Sequence, residues 1–407
     1  MKVNYYNSNL DKDISLPKNL NDINNFINKT CKEFSGLKIL YDEESIKSIE
    51  EISDKFSQNK NKYIIFGTGG SSLGARALVS SQKNKNKVDF YDNIDPIYFE
   101  DAFKDINFTD TGFIIISKSG HTPETLSQFG SVIELAKKNN LLEEFFSNCL
   151  VITEFKESPL FNIAKSKNCT MMEHAKDIGG RYSVFSNVVL IPAILSGFDI
   201  RKFRSGALSL IKNKNNESFL TLGKIFKFNT KFNYTSNVLM TYSDYLFYFG
   251  KWYLQLWAES IGKDNKGITA IHSIGTTDQH SQLQLYLEGP KDKFFTFYTT
   301  NHKNKGLQIN NDIFKENNLD YIAGKNMGDL MNAEQKATLD ALSINNFSYR
   351  EIFLPEINEE MLGSVMALSI YETIASCLYF DVNPFNQPAV EQVKKITKEF
   401  LNTFKKI

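Results

Sequence analysis

The sequence predicts an α/β protein of two domains, each a doubly wound α/β/α sandwich on a parallel sheet, with C-terminal helices packing across both. Three observations carry this. The 407 residues exceed what one hydrophobic core usually supports, since cores stop growing near about 250–300 residues. Short β-rich runs alternate with helix-length segments, the pattern of parallel strands joined by crossover helices. Two turns rich in glycine and hydroxyls stand where such a run ends and a helical pattern begins.

In chain order, residues 1–60 read as helical segments with polar surfaces. Apolar runs follow at 63–66, ended by Gly67, at 88–91, ended by Asp92 and Asn93, at 113–116, stopped by Ser117, and at 150–153. The apolar stretch 184–198 contains Ser186, Asn187, Pro192 and Ser196; it is too short to span a membrane and reads as a buried helix. The polar stretch 212–218 breaks the periodicity, so the first domain is expected over 1–211 and the second over 212–407. Strands are expected again at 238–242 and 294–298, with a helix between them through Trp257. Residues 361–379 and 389–404 read as the long C-terminal helices.

Lys plus Arg and Asp plus Glu number 47 each, a formal net charge of zero. That balance disfavours nucleic acid and anionic membrane as partners, while allowing a local site for one phosphate. Residues 1–10 are polar and lack the apolar core of a signal peptide. Cys31, Cys149, Cys169 and Cys377 are scattered without zinc spacing, as expected of free thiols in a reducing cytoplasm. His121, His174, His272 and His302 form no ligand spacing either, so no metal is expected.

The first turn is Gly67-Thr68-Gly69-Gly70-Ser71-Ser72-Leu73-Gly74. Glycines let the backbone approach an anion, and the helix that follows presents unpaired N–H groups. Gly69, Gly70 and Ser71 are the candidate contacts. A dinucleotide site is the rival reading, because Asp92 ends the next strand, yet Ser72 stands where the third glycine of that fingerprint belongs. The second turn is Ser117-Lys118-Ser119-Gly120-His121-Thr122-Pro123-Glu124-Thr125. Thr122 suits a helix N-cap and Pro123 the first helical position. Capping needs one side-chain oxygen, whereas Ser117, Ser119, Thr122 and Thr125 crowd one helix start. That excess suits a phosphomonoester, with Lys118 beside it. Two such loops on neighbouring parallel strands fit one small phosphorylated ligand.

These loops resemble the sugar-isomerase (SIS) domain. Further blocks narrow the resemblance to the phosphoglucose isomerase family: Gly179-Gly180-Arg181-Tyr182-Ser183, Glu259-Ser260-Ile261-Gly262-Lys263, Gly275-Thr276-Thr277-Asp278-Gln279-His280, and the segment from Gln387 to Lys394. The resemblance implies a cofactor-free interconversion of glucose 6-phosphate and fructose 6-phosphate in glycolysis and gluconeogenesis, by proton transfer through a cis-enediol. It makes Glu259 the base and Arg181 the cation that stabilises the enediolate, which suits a permanently protonated fork of donors. It makes His280 and Lys394 the ring-opening pair, sets Gln387 against the substrate, and has Glu124 position Arg181 or the substrate. It also implies a homodimer in which His280 serves the partner's site. Ile261, Thr277, Asp278, Pro388 and Ala389 depart from commoner residues of the family and bear on substrate discrimination. A dual phosphoglucose/phosphomannose isomerase and a non-catalytic sugar-phosphate sensor are the alternatives; a sensor has no use for Glu259, Arg181, His280 and Lys394 together.

Overall fold

The computed structural model describes residues 1–8, 14–83, 86–212 and 217–403. The chain opens on a strand, β1 (Lys2–Tyr6), where the sequence reads as helix. Lys2 and Asn4 face solvent while Val3 and Tyr5 pack on the core. This period-two alternation covers only five residues and is easily hidden beside the polar helices that follow.

The first sheet holds β2 (Lys62–Phe66), β3 (Lys87–Tyr91), β4 (Thr111–Ile116), β5 (Cys149–Thr153) and β6 (Thr170–Glu173), in the order β3-β2-β4-β5-β6. All neighbours run parallel. Its central strands are buried on both faces. Tyr63, Ile65, Ile114, Ile116, Leu150 and Ile152 enter one core, while Ile64, Phe66, Phe113, Ile115 and Val151 enter another. Burial on both faces is why these strands read as unbroken apolar runs. β6 is an edge strand with both ends exposed, and its weak apolar content conceals it.

The second sheet holds β7 (Ser236–Thr241), β8 (Thr269–Ile274), β9 (Lys293–Thr300) and β10 (Tyr349–Leu354), in the order β1-β10-β9-β7-β8. It is parallel except for β1, which pairs antiparallel with β10. The first strand of the chain thus belongs to the second sheet, and a division at 211/212 leaves β1 on the far side. Helices Ile200–Lys212 and Glu217–Phe228 flank the expected boundary; residues 213–216 of that stretch lie outside the described residues.

One continuous core fills the space between the sheets and draws on both halves of the chain. The apolar stretch 184–198 lies in it as a 3-10 turn, Gly180–Phe185, and a buried helix, Asn187–Ser196, ended by Gly197 at φ +94°. Helix Glu359–Tyr379 is long and apolar enough to cross a membrane, yet it is largely buried within the fold. It packs on helices Leu20–Glu33, Ile200–Lys212, Glu217–Phe228 and Phe247–Ile261, a core helix that ties the halves together. A side chain at Gly206 or Gly363 would begin 1.9 Å from a carbonyl oxygen of the opposite helix, so Ile200–Lys212 and Glu359–Tyr379 cross in backbone contact. The last helix, Val390–Thr403, is exposed along its described length; residue 404 lies outside the described residues.

Candidate active site

In the first sheet β2 has β3 on one side and β4 on the other. The connections after β2 and β4 diverge there, and ligands of open parallel sheets bind in the crevice at such a point. The loop after β2 turns through Gly69 at φ +59°, which favours glycine, into the 3-10 turn Gly69–Ser71. Gly69, Gly70 and Ser71 are all partly exposed. Asp92, on which the rival dinucleotide reading rests, is engaged instead by Arg76 at 3.0 Å and Ser72 at 3.4 Å.

The loop after β4 turns through Gly120 at φ +66° into helix Pro123–Lys138. Thr122 occupies the N-cap position with Pro123 after it, as expected, but its side chain does not cap the helix. Its hydroxyl lies 2.8 Å from that of Ser117. Ser119 is exposed and accepts from the His121 N–H at 3.2 Å. Thr125 is fully buried, and its hydroxyl has no protein partner among the described residues. Lys118 sends its ammonium away from these hydroxyls, to the carbonyls of Lys176 at 2.6 Å and Ile178 at 3.1 Å. It thereby straps this loop to the segment that leads into Gly179, Gly180 and Arg181.

The two glycine pairs meet face to face. A Cβ on Gly70 would lie 2.2 Å from the carbonyl carbon of Gly180. Ser183 closes the junction by donating to the carbonyls of Gly180 at 2.7 Å and Gly70 at 3.2 Å. Arg181 is 3% exposed, and its guanidinium reaches the carboxyl end of helix Phe247–Ile261. Nη1 contacts Glu259 at 3.4 Å and Gln387 at 2.5 Å. Nε donates to Ser260 at 2.8 Å, and Nη2 to the carbonyls of Pro384 at 2.6 Å and Asn386 at 3.2 Å. The second Glu259 oxygen accepts from Gln255 at 2.9 Å.

Glu259 keeps 29% of its side chain exposed, although its own helix buries Trp252, Tyr253, Leu256 and Trp257. A cavity of about 640 Å³ opens beside it, lined among others by Lys263, Asn386 and Gln387. A partly wet carboxylate against a buried, permanently charged guanidinium is an arrangement that can take a proton from carbon while a neighbouring oxygen gains charge.

Arg181, Glu259 and Gln387 therefore come together, and the Ser117–Thr125 loop is strapped to the same junction. Glu124 lies in the first turn of its helix; among the described residues no hydrogen bond or ion pair links it to Arg181. His280 is exposed in the 3-10 turn Thr277–His280, and Lys394 is exposed on helix Val390–Thr403. Among the described residues no group of three or more His, Cys, Asp and Glu side chains is placed to hold a metal. Tyr182, Gln255, Ser260 and Lys263 were not assigned from sequence. Tyr182, Ser260 and Lys263 sit inside the blocks that carry the family resemblance, but Tyr182 meets Ser260 and Pro384 only through the fold, and Lys263 reaches the remote carbonyl of Asn383 besides that of nearby Ser260.

Fold and site define a class: a phosphosugar isomerase-like protein on paired parallel sheets. Its architecture is shared with tagatose-6-phosphate ketose/aldose isomerase from Escherichia coli (TM-score 0.53, 12% identity, 93% of this chain and 98% of that one). It is shared more fully with a glucose-6-phosphate isomerase from Chlamydia trachomatis (TM-score 0.75, 20% identity, 88% and 73%) and with a Thermus thermophilus protein of hypothetical function (TM-score 0.85, 25% identity, 98% and 100%). The phosphoglucose isomerase family model matches residues 43–406, and the chain belongs to that family. It is 35% identical over 382 residues to a probable glucose-6-phosphate isomerase of Methanococcus maripaludis, covering 91% of this chain and 84% of that protein. It is 34% identical to the glucose-6-phosphate isomerase of Methanocaldococcus jannaschii, with 84% and 86% covered.

Proposed function

We propose that the protein reversibly interconverts D-glucose 6-phosphate and D-fructose 6-phosphate, a step of glycolysis and gluconeogenesis. The observation that carries the reading is the buried Arg181 guanidinium 3.4 Å from the Glu259 carboxylate, beside the junction of the Gly69-Gly70 and Gly179-Gly180 turns. Glu259 moves a proton between C1 and C2 of the open-chain sugar. Arg181 offsets the charge that develops on the enediolate oxygen. Ser117, Ser119 and Thr122 hold the phosphate, Lys118 acts by fixing their loop to the segment that leads into Arg181, and the Gly69-Gly70-Ser71 turn lets the backbone come close. Gln387 faces the sugar, and Glu124 stands at the edge of the phosphate loop.

Ring opening falls to Lys394 and to His280 of the partner subunit in a homodimer. Helix Phe247–Ile261 runs back from the carboxyl end of β7, so Glu259 lies near its far end. His280 follows the carboxyl end of β8, which runs parallel to β7. Fifteen helical residues at 1.5 Å each span about 22 Å, and a separation on the order of 20 Å between Glu259 and His280 of one chain supports a second copy as the source of the histidine. Val390, Val393, Ile396 and Phe400 on the last helix are 41–65% exposed at helical spacing, an apolar stripe that a second copy would cover. We place the protein in the cytoplasm, where a reducing environment keeps thiols free; all four cysteines are unpaired.

The test is a coupled assay for fructose 6-phosphate, run with EDTA and without added cofactor. Glu259→Gln is expected to lose at least about 10²–10⁴-fold in turnover while still binding the sugar phosphate. Near-normal turnover in that variant removes Glu259 from the mechanism.

A further inference from the structure

A guanidinium has five N–H donors, and every one on Arg181 meets a protein acceptor. The acceptors divide into two kinds. Nη1 faces two side chains with solvent access, Glu259 and Gln387. Nε faces the Ser260 hydroxyl, which is fully buried, and Nη2 faces two backbone carbonyls.

The buried side closes into a ring. Ser260 Oγ lies 2.8 Å from the Tyr182 hydroxyl, and that hydroxyl donates to Pro384 O at 3.0 Å. Pro384 O also accepts from Arg181 Nη2. Because Tyr182 spends its proton on Pro384, and Ser260 accepts from Nε, the Ser260 proton points at the Tyr182 oxygen. One arrangement of protons satisfies every member. Tyr182 is 1% exposed, and burial pushes its phenol well above the ordinary tyrosine range, so the ring does not ionise at working pH.

We propose that Tyr182 and Ser260 are positioning residues for Arg181. They lock the plane of its guanidinium so that only the Nη1 edge, with its long 3.4 Å contact to Glu259, exchanges partners with the reacting oxygen. The proposal rests on the isomerase reading. The sugar is uncharged at C1 and C2 when it binds and gains charge only on the way to the enediolate. A misaimed guanidinium therefore lowers kcat and leaves KM nearly alone, by up to about 10²-fold for a displacement of 1 Å.

Tyr182→Phe removes one oxygen and keeps the ring, and Ser260→Ala removes the other hydroxyl. Each full-length variant is assayed for kcat and KM with glucose 6-phosphate and for its thermal midpoint. Two inhibitors are then compared: a phosphorylated aldonohydroxamate, whose planar anionic head resembles the enediolate, and a hexitol 6-phosphate, which carries no charge at those carbons. The expectation is a loss of about 10–100-fold in kcat, KM within about threefold, and hydroxamate affinity weakened in step while hexitol phosphate affinity holds. The double variant should lose little more than either single one, because the two hydroxyls act as a unit. Wild-type kcat in a folded Tyr182→Phe overturns the proposal. So does an equal weakening of both inhibitors, and so does failure of Tyr182→Phe to fold, which would assign the hydroxyl to structure. An inactive wild-type protein would instead sink the isomerase reading itself.

Discussion

Replacing Gly70 by alanine tests whether the meeting of the two glycine loops sets the aim of Arg181. The new Cβ would stand 2.2 Å from the Gly180 carbonyl carbon and 2.6 Å from its Cα and oxygen. Carbon atoms rest at about 3.5–4.0 Å, so the loops must part by roughly 1.3 Å or more. All three obstructing atoms are backbone, so no side chain can swing aside, and the residue after Gly180 is Arg181 itself. A misplacement of about 1 Å costs on the order of 10² in rate, and overpacking costs about 1–3 kcal/mol in stability. The coupled isomerase assay should therefore show kcat down roughly 100-fold, and urea unfolding a matching loss of stability. Gly130→Ala is the control. It lies within helix Pro123–Lys138 with nothing within 4 Å of its added Cβ; it should keep full activity and gain up to about 1 kcal/mol. A Gly70→Ala protein with unchanged kcat and unchanged unfolding midpoint would refute the reasoning.

Gly120→Ala puts a Cβ at φ +66° and 2.1 Å from the Ser158 hydroxyl; by disturbing the phosphate loop it should raise KM for glucose 6-phosphate about tenfold or more, and an unchanged KM would remove that loop from substrate binding. Arg350 and Glu372 form a fully buried ion pair at 2.5 Å. Glu372→Ala strands the guanidinium and should cost about 3–5 kcal/mol in urea unfolding, whereas the pair Arg350→Met with Glu372→Leu should recover most of the loss; equal losses in both would refute the account. His174 and His272 are each pushed down to about 4, chiefly by burial. Both stay neutral in the fold while the unfolded chain protonates near its ordinary value of about 6.5. The stability they contribute is present above that pH and is lost as pH falls toward 4, by roughly 2–4 kcal/mol each. Unfolding midpoints that do not differ between wild type and His174→Gln in their pH slope would refute it.

The sequence alone sufficed for whatever is local. β2, β4 and β5 were legible because a strand buried on both faces reads as a nearly continuous apolar run. The Ser117–Thr125 turn was legible because strand end, hydroxyls and helix start fall within nine residues. Arg181, Glu259 and Gln387 could be named from motifs, but nothing within a motif states what it touches. The tertiary structure alone decided the rest. β10 contains Arg350 and Glu351 and does not read as a buried strand, because Glu372, which neutralises Arg350, comes from another element. β1 could not be placed without β10, more than three hundred residues away. The acceptors of Arg181 lie 78 to 206 residues along the chain. A guanidinium is directed by the oxygens that surround it, and only folding determines which oxygens those are.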